Sequence, residues 1–161
     1  DFGKWGGLPA RQYDLSLAFR SVDVTLHDLA QTIDEIGDPR FGVVLDLGYL
    51  GTLGGTPKSH TEATDRIVEW IERFTDRIAL IHLSGVHQRW HTERLMRCPL
   101  EMNNCIDYAI VLRSLKRINY QGPIILDIKA PGLVSAIGYC ATAREELAGY
   151  WDDSGGNDGV Q

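Results

Sequence analysis

Residues 41–47 read FGVVLDL, a near-continuous apolar run broken only by Asp46. Such a run reads as a strand buried on both faces, which is the mark of a parallel sheet. Two further runs repeat the pattern: IALIHL at 78–83 and PIILDI at 123–128. Upstream, Tyr13, Leu15, Leu17 and Phe19 alternate with smaller or polar residues and predict a first strand of period two.

Helical periods separate these strands. Thr25 is a good N-cap, with Asp28 as its acidic partner three residues on. Leu26, Leu29, Ala30, Ile33 and Ile36 then follow at helical spacing, and Gly37 is a natural stop. Thr61 is expected to cap a second helix that carries Ala63, Ile67, Val68, Ile71 and Phe74 on one face. Asn104 is expected to open a third, with Ile106, Ala109, Ile110, Leu112 and Leu115. A last helix is predicted from about Leu133 to about Tyr150, and residues 151–161 are expected to form a flexible tail. The glycine-rich stretch 48–57 and the polar stretch 84–103 read as loops.

The order is β-α-β-α-β-α-β-α, which implies parallel strands and right-handed crossovers. Two architectures fit: part of a closed (β/α)8 barrel, with residues 1–150 as its C-terminal four units, or an open doubly wound sheet. A complete barrel usually needs about 250 residues, and this chain has 161. It opens on Asp1 rather than Met. We therefore expect a piece of a larger barrel, completed by an N-terminal half or by a second copy of the chain.

Composition narrows the function. Hydrophobic residues make up 43% and charged residues 24%, which excludes disordered and collagen-like chains. There is no apolar run near the ~20 residues of a membrane helix, and no signal-peptide pattern. The net charge is −6 with no dense basic run, which argues against a nucleic-acid partner. Cys98, Cys105 and Cys140 match no zinc-finger spacing and read as reduced thiols of a cytoplasmic protein.

The chemistry is expected at the strand ends. Asp46, His82 and Asp127 each stand near the C-terminal end of an apolar strand, where parallel α/β folds build their ligand sites. A carboxylate inside a buried strand is costly unless paired, hydrogen-bonded or bound to a cation. Two carboxylates and an imidazole at one mouth would suit Mn²⁺, Mg²⁺, Co²⁺ or Zn²⁺. Taken singly, each could instead be a helix-cap acceptor or a hydrogen-bonded core group. GTLGGT at 51–56 lacks the Lys-Ser/Thr ending of a phosphate loop and reads as a flexible βα loop, a candidate lid over the site. His27 and His60 lie on or beside helices and read as surface residues.

GVVLDLGYL at 42–50, IALIHLSG at 78–85, the loop HQRWHTER at 87–94 and IDYAIVLRSLKRINYQGPIILDI at 106–128 together resemble the C-terminal half of xylose isomerase-like TIM barrels. That superfamily includes sugar (phosphate) isomerases and epimerases and the apurinic endonucleases. The resemblance spans roughly residues 12–130. It implies that Asp46 and His82 are metal ligands, and that Asp127 stands for the usual strand-eight Glu as ligand and catalytic base. It also implies substrate contacts at Arg89, His91 and Tyr49. Arg89 suits oxyanions through its bidentate fork, and His91 could hold an additional zinc. The alternative for this loop is a solvated segment anchored by Trp90.

The chain also departs from the family pattern. The fifth-strand Glu should fall near Ala18 or Phe19 and is absent, Tyr49 replaces a His, and Ser84 or Gly85 replaces an acid. The resemblance implies metal-assisted isomerisation or epimerisation of a sugar, with a carboxylate moving a proton through an enediolate. Glu101 or Asp23 could act as a second base only if their loops fold over the mouth. The departures favour a non-enzymatic sugar-binding or interaction domain as the alternative. Apurinic endonuclease-like hydrolysis is a further alternative, opposed by the few ligands and the negative charge.

Overall fold

Each boundary of helix α1 (Leu26–Ile36) is set by a side chain or a glycine. Thr25 Oγ1 accepts from the Asp28 N–H at 3.1 Å, and the Asp28 carboxylate accepts from the Thr25 N–H at 3.2 Å. This reciprocal pair satisfies two N–H groups that the helix itself cannot. Gly37 closes the helix with φ at 62°, a left-handed conformation that glycine adopts without a side-chain clash. The computed structural model describes residues 15–17, 25–51, 60–88, 95–98, 105–127 and 131–153.

The main sheet holds β1 (Leu15–Leu17), β2 (Phe41–Asp46), β3 (Ile78–Leu83) and β6 (Ile124–Leu126), in the order β1-β2-β3-β6. All three pairings are parallel. Each strand sits beside its predecessor, so the order never reverses. A doubly wound sheet needs such a reversal to place helices on both faces. Right-handed crossovers in a sequential order put every helix on one side, as in a barrel wall.

Burial follows that asymmetry. Val43, Leu45, Ile81 and Leu83, on the helix side, are fully buried. Val44 and Leu80, paired on the opposite side, are only half-buried. The strands are therefore apolar on both faces, while the described residues cover one face well.

Helices α3 (His60–Phe74) and α4 (Tyr108–Arg117) supply most of that cover, through Ile67, Ile71, Phe74, Val111, Leu112 and Leu115. Helix α5 (Leu133–Asp153) packs on α4 through Ala143 and Leu147. Lys116 Nζ lies 4.9 Å from the Trp151 ring centroid and bonds the Trp151 carbonyl. No helix among the described residues is long and apolar enough to cross a membrane.

Several expectations need correcting. Leu47 leaves the strand and starts a one-turn helix, α2 (Leu47–Leu50), because Asp46 caps it. Thr61 lies inside α3 rather than capping it. The third helix starts at Tyr108, where Asp107 accepts from the Ile110 N–H at 3.1 Å and outcompetes the expected start at Asn104. The stretch read as a polar loop contains an antiparallel pair, β4 (Gly85–Gln88) with β5 (Leu95–Cys98). Helix α5 ends at Asp153, beyond Tyr150. Tyr13, Phe19, residues 52–56, Asn104 and residues 154–161 lie outside the described residues.

Candidate metal centre

The sheet register brings three distant residues together. Asp46 at the end of β2 is the direct partner of His82 on β3. His82 in turn pairs with Ile125 on β6, and Asp127 lies two residues further along. Side chains two apart on a strand share a face. The Asp127 N–H bonds the Leu83 carbonyl at 2.9 Å, which continues the β3–β6 ladder past the end of β6. Asp46, His82 and Asp127 thus occupy one face at the C-terminal end of the sheet. Each offers a ligand atom, and these atoms lie within 4.8 Å of one another.

Asp46 is buried, at 6% exposure, whereas His82 and Asp127 are half-buried. Its burial is offset locally, because the Tyr49 N–H donates to Asp46 Oδ1 at 3.0 Å. The helix-cap role weighed for Asp46 is therefore real. It is also compatible with ligation, since a carboxylate has several acceptor sites. Two carboxylates and an imidazole form a mostly oxygen donor set of the kind that Mg²⁺ or Mn²⁺ accepts.

A second layer holds the β3 end in place. The Tyr108 hydroxyl donates to the Ser84 carbonyl at 2.6 Å, and the Cys105 N–H donates to the Val86 carbonyl at 2.8 Å. Thr64 Oγ1 accepts from the Asp107 N–H at 2.9 Å, which ties α3 to the start of α4. The Ser84 side chain is fully buried, and its hydroxyl has no hydrogen-bond partner among the described residues. It occupies the space that Gly48 leaves open, since a Cβ on Gly48 would fall 2.1 Å from Ser84 Oγ. In the sequence, Gly48 reads as a loop residue and Ser84 or Gly85 stands in place of an acid, while Tyr108 has no role beyond its place in the family-like stretch 106–128. Tyr108 carried a signal nonetheless, being a phenol one residue after a helix cap.

Of the expected substrate contacts, Tyr49 sits in α2 one turn beyond Asp46, half-buried. Arg89 and His91 lie outside the described residues, as do Trp90, Glu101, Asp23, Ala18 and Phe19.

Solved structures resemble the chain, among them two that match it over most of its length. One is a xylose isomerase-like TIM barrel protein from Mycobacterium smegmatis in complex with magnesium, with a TM-score of 0.61 and 21% identity. It matches over 86% of this chain and 44% of its own. The other is a xylose isomerase domain protein from Planctomyces limnophilus, with a TM-score of 0.62, 20% identity, and 88% and 47% of the two chains covered. Likeness at this identity speaks to the fold alone. The chain spans less than half the length of either structure. No curated protein matches the sequence. The family described as xylose isomerase-like TIM barrel matches residues 12–150, and the chain belongs to it.

Proposed function

We propose that the chain carries the divalent-metal site of a sugar (phosphate) isomerase or epimerase-like protein, with Asp46, His82 and Asp127 as ligands. The observation that carries this reading is the convergence of the three donors within 4.8 Å on one face. Magnesium in a structurally similar barrel supports a hard cation, Mg²⁺ or Mn²⁺ ahead of Co²⁺ or Zn²⁺. Such an ion, when bound, supplies a Lewis acid for a substrate carbonyl oxygen.

This chain's own groups divide the remaining work. Buried Asp46, held by the Tyr49 N–H, is a fixed ligand. Asp127 is more open, so it is the carboxylate that can meet a sugar hydroxyl or carbon-bound proton and act as base. Tyr49, Arg89 and His91 would bind the sugar-like substrate. The free thiols Cys105 and Cys140 accord with a reducing, cytoplasmic setting.

A specific feature also favours a second reading, that of a sugar-binding domain without turnover. Ala18 and Phe19 stand where a second carboxylate base is expected, so only one base is identified. One experiment addresses both readings. Metal content is measured after loading with Mg²⁺ or Mn²⁺, beside Asp46→Ala and His82→Ala, and the loaded protein is incubated with a panel of aldoses, ketoses and their phosphates. One ion per chain, lost in both variants, together with sugar interconversion, is the expected result. Stoichiometric metal with sugar binding but no interconversion supports the binding domain. Absence of variant-sensitive metal overturns both.

A further inference from the structure

Strand β3 carries one residue more than its pairing with β2 uses. Val43 pairs with Ile78, but Val44 pairs with Leu80, Leu45 with Ile81 and Asp46 with His82. Ala79 falls between two paired positions and is left out of the register. Burial breaks at the same place. Ile78 and Ile81 are three residues apart, and both are buried in the core with the helices. A regular strand would turn them to opposite faces. Ala79 and Leu80, which are neighbours, are both half-buried. The phase of β3 therefore changes at Ala79, in the manner of a β-bulge.

The bulge joins two firmly held halves. Below it, the Val43 N–H donates to the Arg77 carbonyl at 2.7 Å, and Arg77 Nη1 donates to the Asp38 and Phe41 carbonyls at 2.9 and 3.3 Å. Above it, the Ile81 N–H donates to the Pro123 carbonyl at 3.2 Å, and the Asp127 N–H to the Leu83 carbonyl at 2.9 Å. Packing does not require the extra residue. A β3 without Ala79 would keep Ile78 opposite Val43 and His82 opposite Asp46, with regular alternation and an unbroken ladder. A bulge leaves one residue unpaired, bends its strand and increases the local twist. Ala79 precedes His82 by three residues, so that bend acts on the short segment that delivers His82 to the two carboxylates.

We propose that Ala79 is a positioning residue for the metal centre: the bulge it forms sets the bend of β3 that aims His82 at Asp46 and Asp127. The proposal rests on the metal reading of that cluster. Pairing with Asp46 fixes the level of His82 along the sheet, but the direction of its imidazole follows the local twist of β3. That direction matters, because a binding constellation tolerates displacements of only about 0.5 Å. Bulges beside functional sites re-aim side chains in this way, at the cost of a locally disrupted ladder. Ala79 touches no ligand position itself, so its whole effect on the ion passes through His82.

Deletion of Ala79 separates metal binding from folding. Urea unfolding without metal reads stability, titration calorimetry reads Mn²⁺ affinity, and electron paramagnetic resonance reads the surroundings of the bound ion. The deleted chain is expected to fold with metal-free stability equal to or above wild type, since every pairing is kept and the ladder is restored. Its Mn²⁺ affinity should fall roughly tenfold or more, the scale on which supports of metal ligands act, and the resonance of the bound ion should change with it. Ala79→Gly keeps the residue count and should bind Mn²⁺ as wild type does. A residue with only a structural role gives the opposite pattern, lost stability with unchanged affinity in the folded fraction. Deletion that leaves Mn²⁺ affinity intact, or that destabilises or unfolds the chain, overturns the proposal. Asp46→Ala is measured in parallel. Wild-type binding that is lost in Asp46→Ala but kept on deletion overturns the role of the bulge alone, whereas a wild type that binds no Mn²⁺ overturns the metal reading and this proposal with it.

Discussion

Gly48 and Ser84 follow Asp46 and His82 by two residues each, so their fit bears directly on the ligand pair. A Cβ at Gly48 would lie 2.1 Å from Ser84 Oγ, and Ser84 is fully buried with little room to yield. Gly48→Ala is expected to cost about 1–3 kcal/mol in urea unfolding, and Ser84→Gly in the same chain should recover most of it. Equal losses in the single and double variants would show that the clash is not the cause. Asp38 provides a pH-dependent case. Hydrogen bonds from the Arg40 guanidinium and N–H hold its carboxyl at about 2, below the ordinary 3.8. A depressed folded value stabilises the protein above about pH 4, and that contribution disappears as pH falls through about 2. Asp38→Asn should therefore flatten the acid limb of a stability–pH curve between these values, with its difference from wild type, small for an exposed pair, present above about pH 4 and gone below about pH 2.

At the scale of elements, local caps decide where helices begin. The Thr25–Asp28 box was legible because both partners lie within one turn, and hydrogen bonding to Thr25 lowers the Asp28 pKa. Thr25→Ala is expected to cost about 1 kcal/mol, read from the denaturant midpoint, with Thr25→Ser close to wild type. The start of α4 differs from the expected Asn104 because Asp107 caps it locally, while Thr64 Oγ1 from α3, distant in sequence, fixes the Asp107 N–H. The β4–β5 hairpin was missed for a similar reason. Its strands are four residues each and flank a polar segment, so the pairing is visible only in the ladder and in the buried Val86.

For the whole molecule, a cation held at the proposed Asp46–His82–Asp127 site would make stability depend on free cation. A ligand that binds only the folded state at a hundred times its Kd adds about 2.7 kcal/mol. For a chain of this size that is roughly a 5–10 °C rise in Tm. Mn²⁺ titration in a thermal melt should show such a rise, and Asp127→Ala should abolish it while melting normally without metal. A rise of equal size in the variant would place the binding elsewhere. Surface ion pairs such as Arg73–Asp34, at 2.8 Å, do not compete with this effect, since exposed pairs are worth about 0–1 kcal/mol.

The division between sequence and tertiary structure follows from range. Strand type, the four βα units, the α1 caps and the candidate ligands Asp46, His82 and Asp127 were all readable from the chain, because apolar periodicity and capping act within a few residues. Whether three polar residues on three strands meet was not readable. That depends on register, since a slip of one residue turns a side chain to the other face. The Asp46–His82 and His82–Ile125 pairings set that register. The choice of a singly wound sheet likewise rests on the strand order, which only the packed molecule displays.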